Sequence, residues 1–173
     1  MTTGDDRISL PLGFDVPDGW VPVDPERAGA PGAVFVAVRP DTGGGFTPNI
    51  TVGVRHRPDP ATIVQIADEA VERLGRSMAA LDVLSRQDVG EPPEEGVAQV
   101  LRIVSPDGQE LVQSQVHLTV AGAHGRQDRV VVEIACTSTP DQAPPIVAEF
   151  QRFVSSFHVR PGMISVGEQG ENP

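Results

Sequence analysis

The chain contains no lysine and no tyrosine, and only one cysteine (Cys136) and one tryptophan (Trp20). All thirteen of its basic residues are arginine. The missing lysine excludes Schiff-base chemistry and the ammonium of a P-loop. The missing tyrosine excludes phenolic acid/base catalysis. One cysteine excludes an intrachain disulfide, and none is needed: a domain of 173 residues buries about 70% of the surface its unfolded chain exposes. Positive charge is also scarce. The formal net charge is −11 and the pI about 4.6. The densest basic cluster, Arg55-His56-Arg57, is not extended on either side. Phosphate backbones and anionic lipid both require clustered cations, so neither nucleic acid nor a membrane surface is an expected partner. No apolar run approaches the roughly 18 residues of a spanning helix. Met1 to Arg7 shows neither a basic n-region nor an apolar h-region. With the lone cysteine, this predicts a cytoplasmic location.

What is present is a globular pattern, 39% hydrophobic and 21% charged. Residues 1–7 are polar and are predicted to be disordered, residues 8–159 to form one domain, and residues 160–173 to be a flexible tail. Ile8 to Val16 alternates apolar and polar, which predicts a strand that Pro11 confines to an edge. Residues 21–32, with three prolines and two glycines, read as a loop. Ala33–Val38 is apolar throughout, the mark of a strand buried on both faces. Asn49–His56 alternates again. Asp59-Pro60 offers a helix start, and Ile63, Ile66, Ala67, Ala70, Val71, Leu74 and Met78 make one helical stripe. Four further strands are predicted at Val83–Val89, Val97–Val104, Glu110–Val120 and Arg129–Thr137. A second helix opens near Thr139-Pro140-Asp141, becomes regular around Pro144 and Pro145, and carries the stripe Ile146, Val147, Phe150, Phe153, Val154, Phe157. The order β-β-β-α-β-β-β-β-α with short turns predicts an α+β fold. Its antiparallel sheet is flanked by two helices in an α/β/α sandwich.

The chemistry-bearing residues form no catalytic pattern. Cys136 is the only thiol. Pairing Val120 with Val130, Leu118 with Val132 and Val116 with Ile134 puts the apolar side chains on one face. Cys136 then points one way and His117 the other, which excludes a Cys/His dyad between them. A buried free cysteine acts as a small hydrophobe. His56, His117, His124 and His158 lack metal-ligand spacing. His158 is expected at a helix C-terminus, facing its dipole. Gly43-Gly44-Gly45 lacks the Lys-Ser/Thr of a P-loop. Glu91, Glu94 and Glu95 sit beside two prolines in a solvated turn, and no serine stands in a Gly-x-Ser-x-Gly elbow. No catalytic residue, cofactor or metal site is predicted. The residues singled out for partner binding are Trp20, an aromatic directly after a turn, and the trio Arg55, His56 and Arg57.

Leu10-Pro-Leu-Gly-Phe14-Asp-Val-Pro-Asp-Gly-Trp20 resembles the opening strand and turn of actinobacterial LpqN/LpqT-type proteins, whose fold belongs to the wider Mog/PsbP-like group that includes DcrB. The likeness continues through Asn49-Ile-Thr-Val52, the helix Ala61–Met78 and Phe150…Phe153…Ser156-Phe157. The resemblance implies an antiparallel sheet between helices and a non-catalytic role, since members of that group serve as protein-binding factors and chaperones. The first functional expectation is therefore a non-enzymatic protein-interaction or adaptor domain whose partner is another protein. An alternative is a small-molecule binder or enzyme with a site around the Arg55-His56-Arg57 strand end, where Gln115 and His117 would converge with it. A third is a structural homo-oligomer.

Overall fold

A computed structural model of the chain describes residues 12–43, 45–91, 94–122 and 125–159. The predicted disordered segment 1–7, the tail 160–173, Gly44 and His124 lie outside the described residues. The elements run β1 (Leu12–Gly13), β2 (Val21–Val23), β3 (Phe35–Val38), β4 (Asn49–His56), α1 (Ile63–Gly75), β5 (Ala80–Val89), β6 (Gly96–Val104), β7 (Glu110–Gly122), β8 (Gly125–Ser138), α2 (Ala143–Ser155) and β9 (His158–Val159). Seven strands form one antiparallel sheet in the order β2-β3-β4-β8-β7-β6-β5, and β1 pairs with β9 separately.

The register predicted for β7 and β8 is the one observed: Val120 opposite Val130, Leu118 opposite Val132, Val116 opposite Ile134. Because cross-strand partners share a face, each row of the sheet can be read across it. Phe35, Val52, Ile134, Val116 and Ala98 make one row, turned toward α2. Val36, Thr51, Ala135, Gln115, Gln99 and Arg86 make the adjacent row on the opposite face. The continuous apolarity of the third and eighth strands follows from this layering. Neighbours Val36 and Ala37, and Val131 and Val132, are all buried, on alternate faces.

The α2 face holds the larger core. Ile146, Phe150 and Phe153 lie on Ile50, Val52, Val116, Val132, Ile134 and Cys136. Phe153 also meets Phe14 and Phe157 edge-on, with centroids 5.2 and 5.0 Å away. On the other face Ile63, Ile66 and Ala67 of α1 pack on Val97 and Val131. Val71, Leu74 and Met78 cover Leu101, Ile103 and Leu111.

Several elements differ from expectation, each for a local reason. The cap of α1 is Thr62, not Asp59: Gln65 N–H donates to Thr62 Oγ1 at 3.1 Å, and Thr62 N–H to Gln65 Oε1 at 2.8 Å. Asp59 is held instead by Arg57, through bonds of 2.8 and 2.9 Å. The prolines of α2 fall in its first turn, where their missing N–H groups would be unpaired anyway. The stretch read as a loop after Trp20 contains β2, which pairs with β3 despite Pro22 because it is an edge strand. Of the predicted opening strand, Ile8 to Pro11 lie outside the described residues, and only Leu12–Gly13 is strand in the remainder. His158 is not at a helix end. The α2 helix stops at Ser155, and His158 lies in β9, its Nδ1 donating to the Ser156 carbonyl at 2.9 Å.

Candidate functional site

Trp20 lies within the core, 5% exposed. Its indole N–H donates to Glu149 Oε2 at 2.7 Å, and Arg39 binds the same carboxylate through Nε and Nη2, each at 3.2 Å. This ring fastens the turn after β1 to α2 and presents little surface to a partner.

The trio Arg55, His56 and Arg57 separates: alternation turns His56 to the other side of the strand, and Arg57 lies past the end of β4. His56 Nε2 donates to the Gln127 carbonyl at 2.7 Å on the solvated side. Arg57 grips Asp59 and Glu69, and Arg129 donates to the carbonyls of Arg57 and Asp59 at 2.7 and 2.8 Å. This cluster fastens the start of α1 to the sheet. It raises the Arg57 pKa and holds the Asp59 carboxyl well below the usual carboxylate range, the Arg57 hydrogen bond being the largest cause. Arg55 alone turns into a hollow.

That hollow is a cavity of about 420 Å³ on the α1 face of the sheet. Thr51, Gly53 and Arg55 of β4, Glu133 and Ala135 of β8 and Gln113, Gln115 and His117 of β7 form its floor. Arg73 and Ser77 from the α1 side and Ala30, Gly32 and Ala33 of the loop before β3 contribute walls. The hollow exists because residues there are small. A Cβ built on Gly53 would meet nothing within 4 Å. Arg55, Gln115 and His117, expected to converge, do converge here; His56 and Arg57 do not line the cavity.

A buried amide seam runs into the cavity, and its polarity is set from one end. Arg86 can only donate, and its Nε donates to Gln99 Oε1 at 2.9 Å. Gln99 must therefore donate from Nε2, to Gln115 Oε1 at 2.7 Å. Gln115 in turn donates to Gln113 Oε1 at 2.6 Å, and Gln113 to Thr137 Oγ1 at 2.9 Å. His117 Nε2 lies 3.2 Å from Gln115 Oε1, an acceptor, so the proton of the neutral imidazole sits on Nε2. Nδ1 is then a bare acceptor. It has no hydrogen-bond partner, although the residue is 2% exposed, and it faces Glu133 Oε1 at 3.8 Å. Burial pushes the imidazole below its ordinary pKa; Glu133 opposes this, and Arg73, Arg86 and Arg55 reinforce it. Glu133 Oε2 meets Arg73 Nη2 at 3.4 Å and Arg55 Nε at 3.6 Å.

The arrangement suits binding. Cys136 lies on the opposite face, its thiol pushed up to about 12 chiefly by burial. The Ser77 hydroxyl donates to the Leu74 carbonyl at 3.0 Å. Among the described residues, no three His, Cys, Asp or Glu side chains gather as a metal site.

A second concavity of about 600 Å³ lies on the α2 face, where the helix leaves β5 and β6 uncovered. Val89, Ala98, Val100 and Leu118 line its floor, and Val147 and Val154 its helical wall. Val83 and Leu84 are exposed by 45% and 58% at the same edge strand, Val83 on the α1 side with its partner Leu101. The register of β5 shifts between Val83 and Ser85, a bulge that bends this edge.

An antiparallel sheet between two helices, with β5 and β2 at its edges, places the chain in the Mog1/PsbP-like class of α+β folds. LpqN of Mycobacterium tuberculosis, involved in cell envelope biogenesis, superposes with a TM-score of 0.67 at 11% identity, over 91% of this chain and 88% of LpqN. The cyanobacterial PsbP of Synechocystis sp. PCC 6803 matches with a TM-score of 0.57 at 16% identity, over 92% of this chain and 98% of its own. The Saccharomyces cerevisiae Ran-binding protein Mog1p matches with a TM-score of 0.58 at 16% identity, over 86% and 90%. At these identities the likeness shows the fold. No family model and no curated protein matches the chain.

The seam residues Gln99, Gln113 and Glu133, and Arg73 above them, were not expected at a site. The signal for one of these, Gln113, was present, in phase with the expected Gln115 and His117. Gln113, Gln115 and His117 alternate with Ser114, Val116 and Leu118 in a strand between two helices, where a polar alternate face is a buried polar seam.

Proposed function

We propose that this chain is a non-enzymatic protein-binding domain that meets its partner along the β5 side of the sheet. The observation that carries the reading is the groove between α2 and β5–β7, walled by Val89, Ala98, Val100, Leu118, Val147 and Val154 and opening at the β5 edge of the sheet. A fold neighbour described as Ran-binding supports protein contact as a use of this architecture. The partner is a protein that lays an apolar segment into the groove, and the proposed location is cytoplasmic. The test is affinity capture from native cells with wild-type bait beside Val100→Glu and Val147→Glu baits, both at groove-lining positions, all checked for folding by circular dichroism. A stoichiometric partner held by wild type and lost by both variants supports the reading. A folded wild-type bait that repeatedly retains nothing, or variants that retain the same partner equally, refutes it.

A second reading, small-molecule binding at the Arg55 end of β4, is favoured by one observation. Arg55, Gln115 and His117 line a single cavity, with a buried acceptor left unpaired.

A further inference from the structure

The second reading can be taken to a ligand class, on which it depends only for the cavity's being a binding site. Neutral His117 presents a lone pair at Nδ1, and 3.8 Å away stands a carboxylate oxygen of Glu133. Two acceptors facing each other without a donor are unfavourable, and a buried acceptor left unpaired costs about 1–3 kcal/mol. The gap calls for a group that donates to both. A positively charged donor suits it best, because one of the two acceptors is anionic. A metal ion is disfavoured, since among the described residues no third His, Cys, Asp or Glu joins these two.

The other oxygen of the same carboxylate points toward Arg55 and Arg73. Two guanidinium groups against one carboxylate leave the lining with one positive charge. Each guanidinium has five donors, and the contact to Glu133 uses one of them. An acidic group placed beside them would accept from the guanidinium donors that Glu133 leaves free. Donor site and acid site therefore flank one Glu133 carboxylate, a separation of a few bonds. The small residues Gly32, Ala33, Gly53 and Ala135 leave room above it, and the volume lies within the range of small-ligand sites.

We propose that this cavity binds a small zwitterion of the α-amino acid class, with its ammonium between His117 Nδ1 and Glu133 Oε1 and its carboxylate at Arg55 and Arg73. An amine without an acid leaves the arginines uncompensated. An acid without an amine meets Glu133 and leaves Nδ1 unpaired.

The test is an amide-resolved NMR titration of the full chain at neutral pH, to millimolar concentrations of glycine, L-alanine and L-serine, beside methylammonium and acetate. The expected result is saturable shifts at Gly53, Arg55, Gln115 and Ala135 with the amino acids, at least tenfold tighter than with either singly charged probe. Gly53→Leu fills the hollow from a position with open space around it and is expected to abolish these shifts while the rest of the spectrum is kept. Glu133→Gln is expected to weaken binding by tenfold or more. Equal or tighter binding of acetate or methylammonium overturns the zwitterion and leaves the cavity as a small-molecule site. Silence toward all five probes in the folded protein overturns both. Shifts that persist unchanged in Gly53→Leu also overturn the proposal, because the ligand is then elsewhere.

Discussion

Glu149 accepts from two groups at once, and replacing it separates a structural role for Trp20 from a surface one. In Glu149→Ala the indole N–H loses its acceptor inside the core, where the ring is 5% exposed. An orphaned buried donor costs about 1–3 kcal/mol. Arg39 also loses its partner, but its side chain is 27% exposed, so water takes over much of the loss. After solvent screening that part contributes at most about 1 kcal/mol. The expected destabilisation is about 1–4 kcal/mol, equivalent to a fall in melting temperature of roughly 3–12 °C for a chain of this length. Trp20 is the only tryptophan, so urea unfolding followed by its fluorescence reads the site directly. Native emission should also shift to the red in the variant. Glu149→Gln keeps a carbonyl acceptor and should retain most of the stability. Arg39→Ala should cost under about 1 kcal/mol. If Arg39→Ala is as damaging as Glu149→Ala, or Glu149→Gln is no better than alanine, the energy lies in the ion pair and the argument fails. A loss under about 0.5 kcal/mol in Glu149→Ala refutes it outright.

Phe153→Ala removes a side chain 1% exposed at the centre of four phenylalanines and should cost about 3–5 kcal/mol by chemical denaturation. Thr62→Ala removes the Oγ1 that accepts from Gln65 N–H, while the bond from the Thr62 main-chain N–H to Gln65 Oε1 stays available, and should cost about 1 kcal/mol, with Thr62→Asn largely neutral. Cys136, with its thiol pushed up to about 12 by burial, should resist an aromatic disulfide reagent at pH 8 and react within seconds once denaturant is added. His117 has a folded-state pKa below its unfolded value, so the unfolded chain binds the extra proton between the two. Its contribution is present above the unfolded pKa and is lost as pH falls from there toward the folded pKa, with a slope of at most about 1.4 kcal/mol per pH unit. The groups facing the imidazole are Glu133 on β8, Arg73 on α1, Arg86 on β5 and Arg55 on β4. The loss of stability between pH 7.5 and 5.5, from urea midpoints, should be smaller in His117→Leu than in wild type by that contribution.

The strand register and the helix stripes could be read in advance because each is a local pattern with one packing solution. Slipping β7 against β8 by one residue would turn Val116, Leu118 and Val120 away from Phe150 and Phe153, so the pairing was determined by composition alone. The two helices could be assigned to opposite faces because Val36 and Ala37 are both apolar in one strand. Elements whose existence depends on distant partners were not legible. β9 is two residues long and pairs with β1 across nearly the whole chain. β2 carries a proline, and β5 begins three residues earlier than its hydrophobic pattern suggests because Ala80 to Asp82 are held by the main chain of β6. At the cavity, Gln115 and His117 share one face of a single strand; of Arg55, His56 and Arg57, read with them as one candidate group, only Arg55 joins them, across the intervening β8. Arg73 could not be grouped with them: its place over Glu133 is set by how α1 crosses the sheet, which no local pattern encodes.

A polar seam beneath a helix is an expensive way to pack a core. Gln99 is 2% exposed and Gln115 7%, and each amide loses water that its new partners only just replace. Leucines at those positions would pack as Leu101 and Ile103 do one row away, at no such risk. Along the seam, the hydrogen bonds close from Arg86 through Gln99, Gln115 and Gln113 to Thr137, so its cost is largely offset. The offset ends at His117, whose Nδ1 is the one buried side-chain polar atom among the described residues without a partner. That atom is unpaired because the seam fixes the proton on Nε2, and the direction of the seam is fixed in turn by a guanidinium that cannot accept. The sheet thus fixes a lone pair on a residue that lines a cavity, beside a carboxylate. A core built for packing alone has no use for such an atom, whereas a site that selects a charged donor requires one.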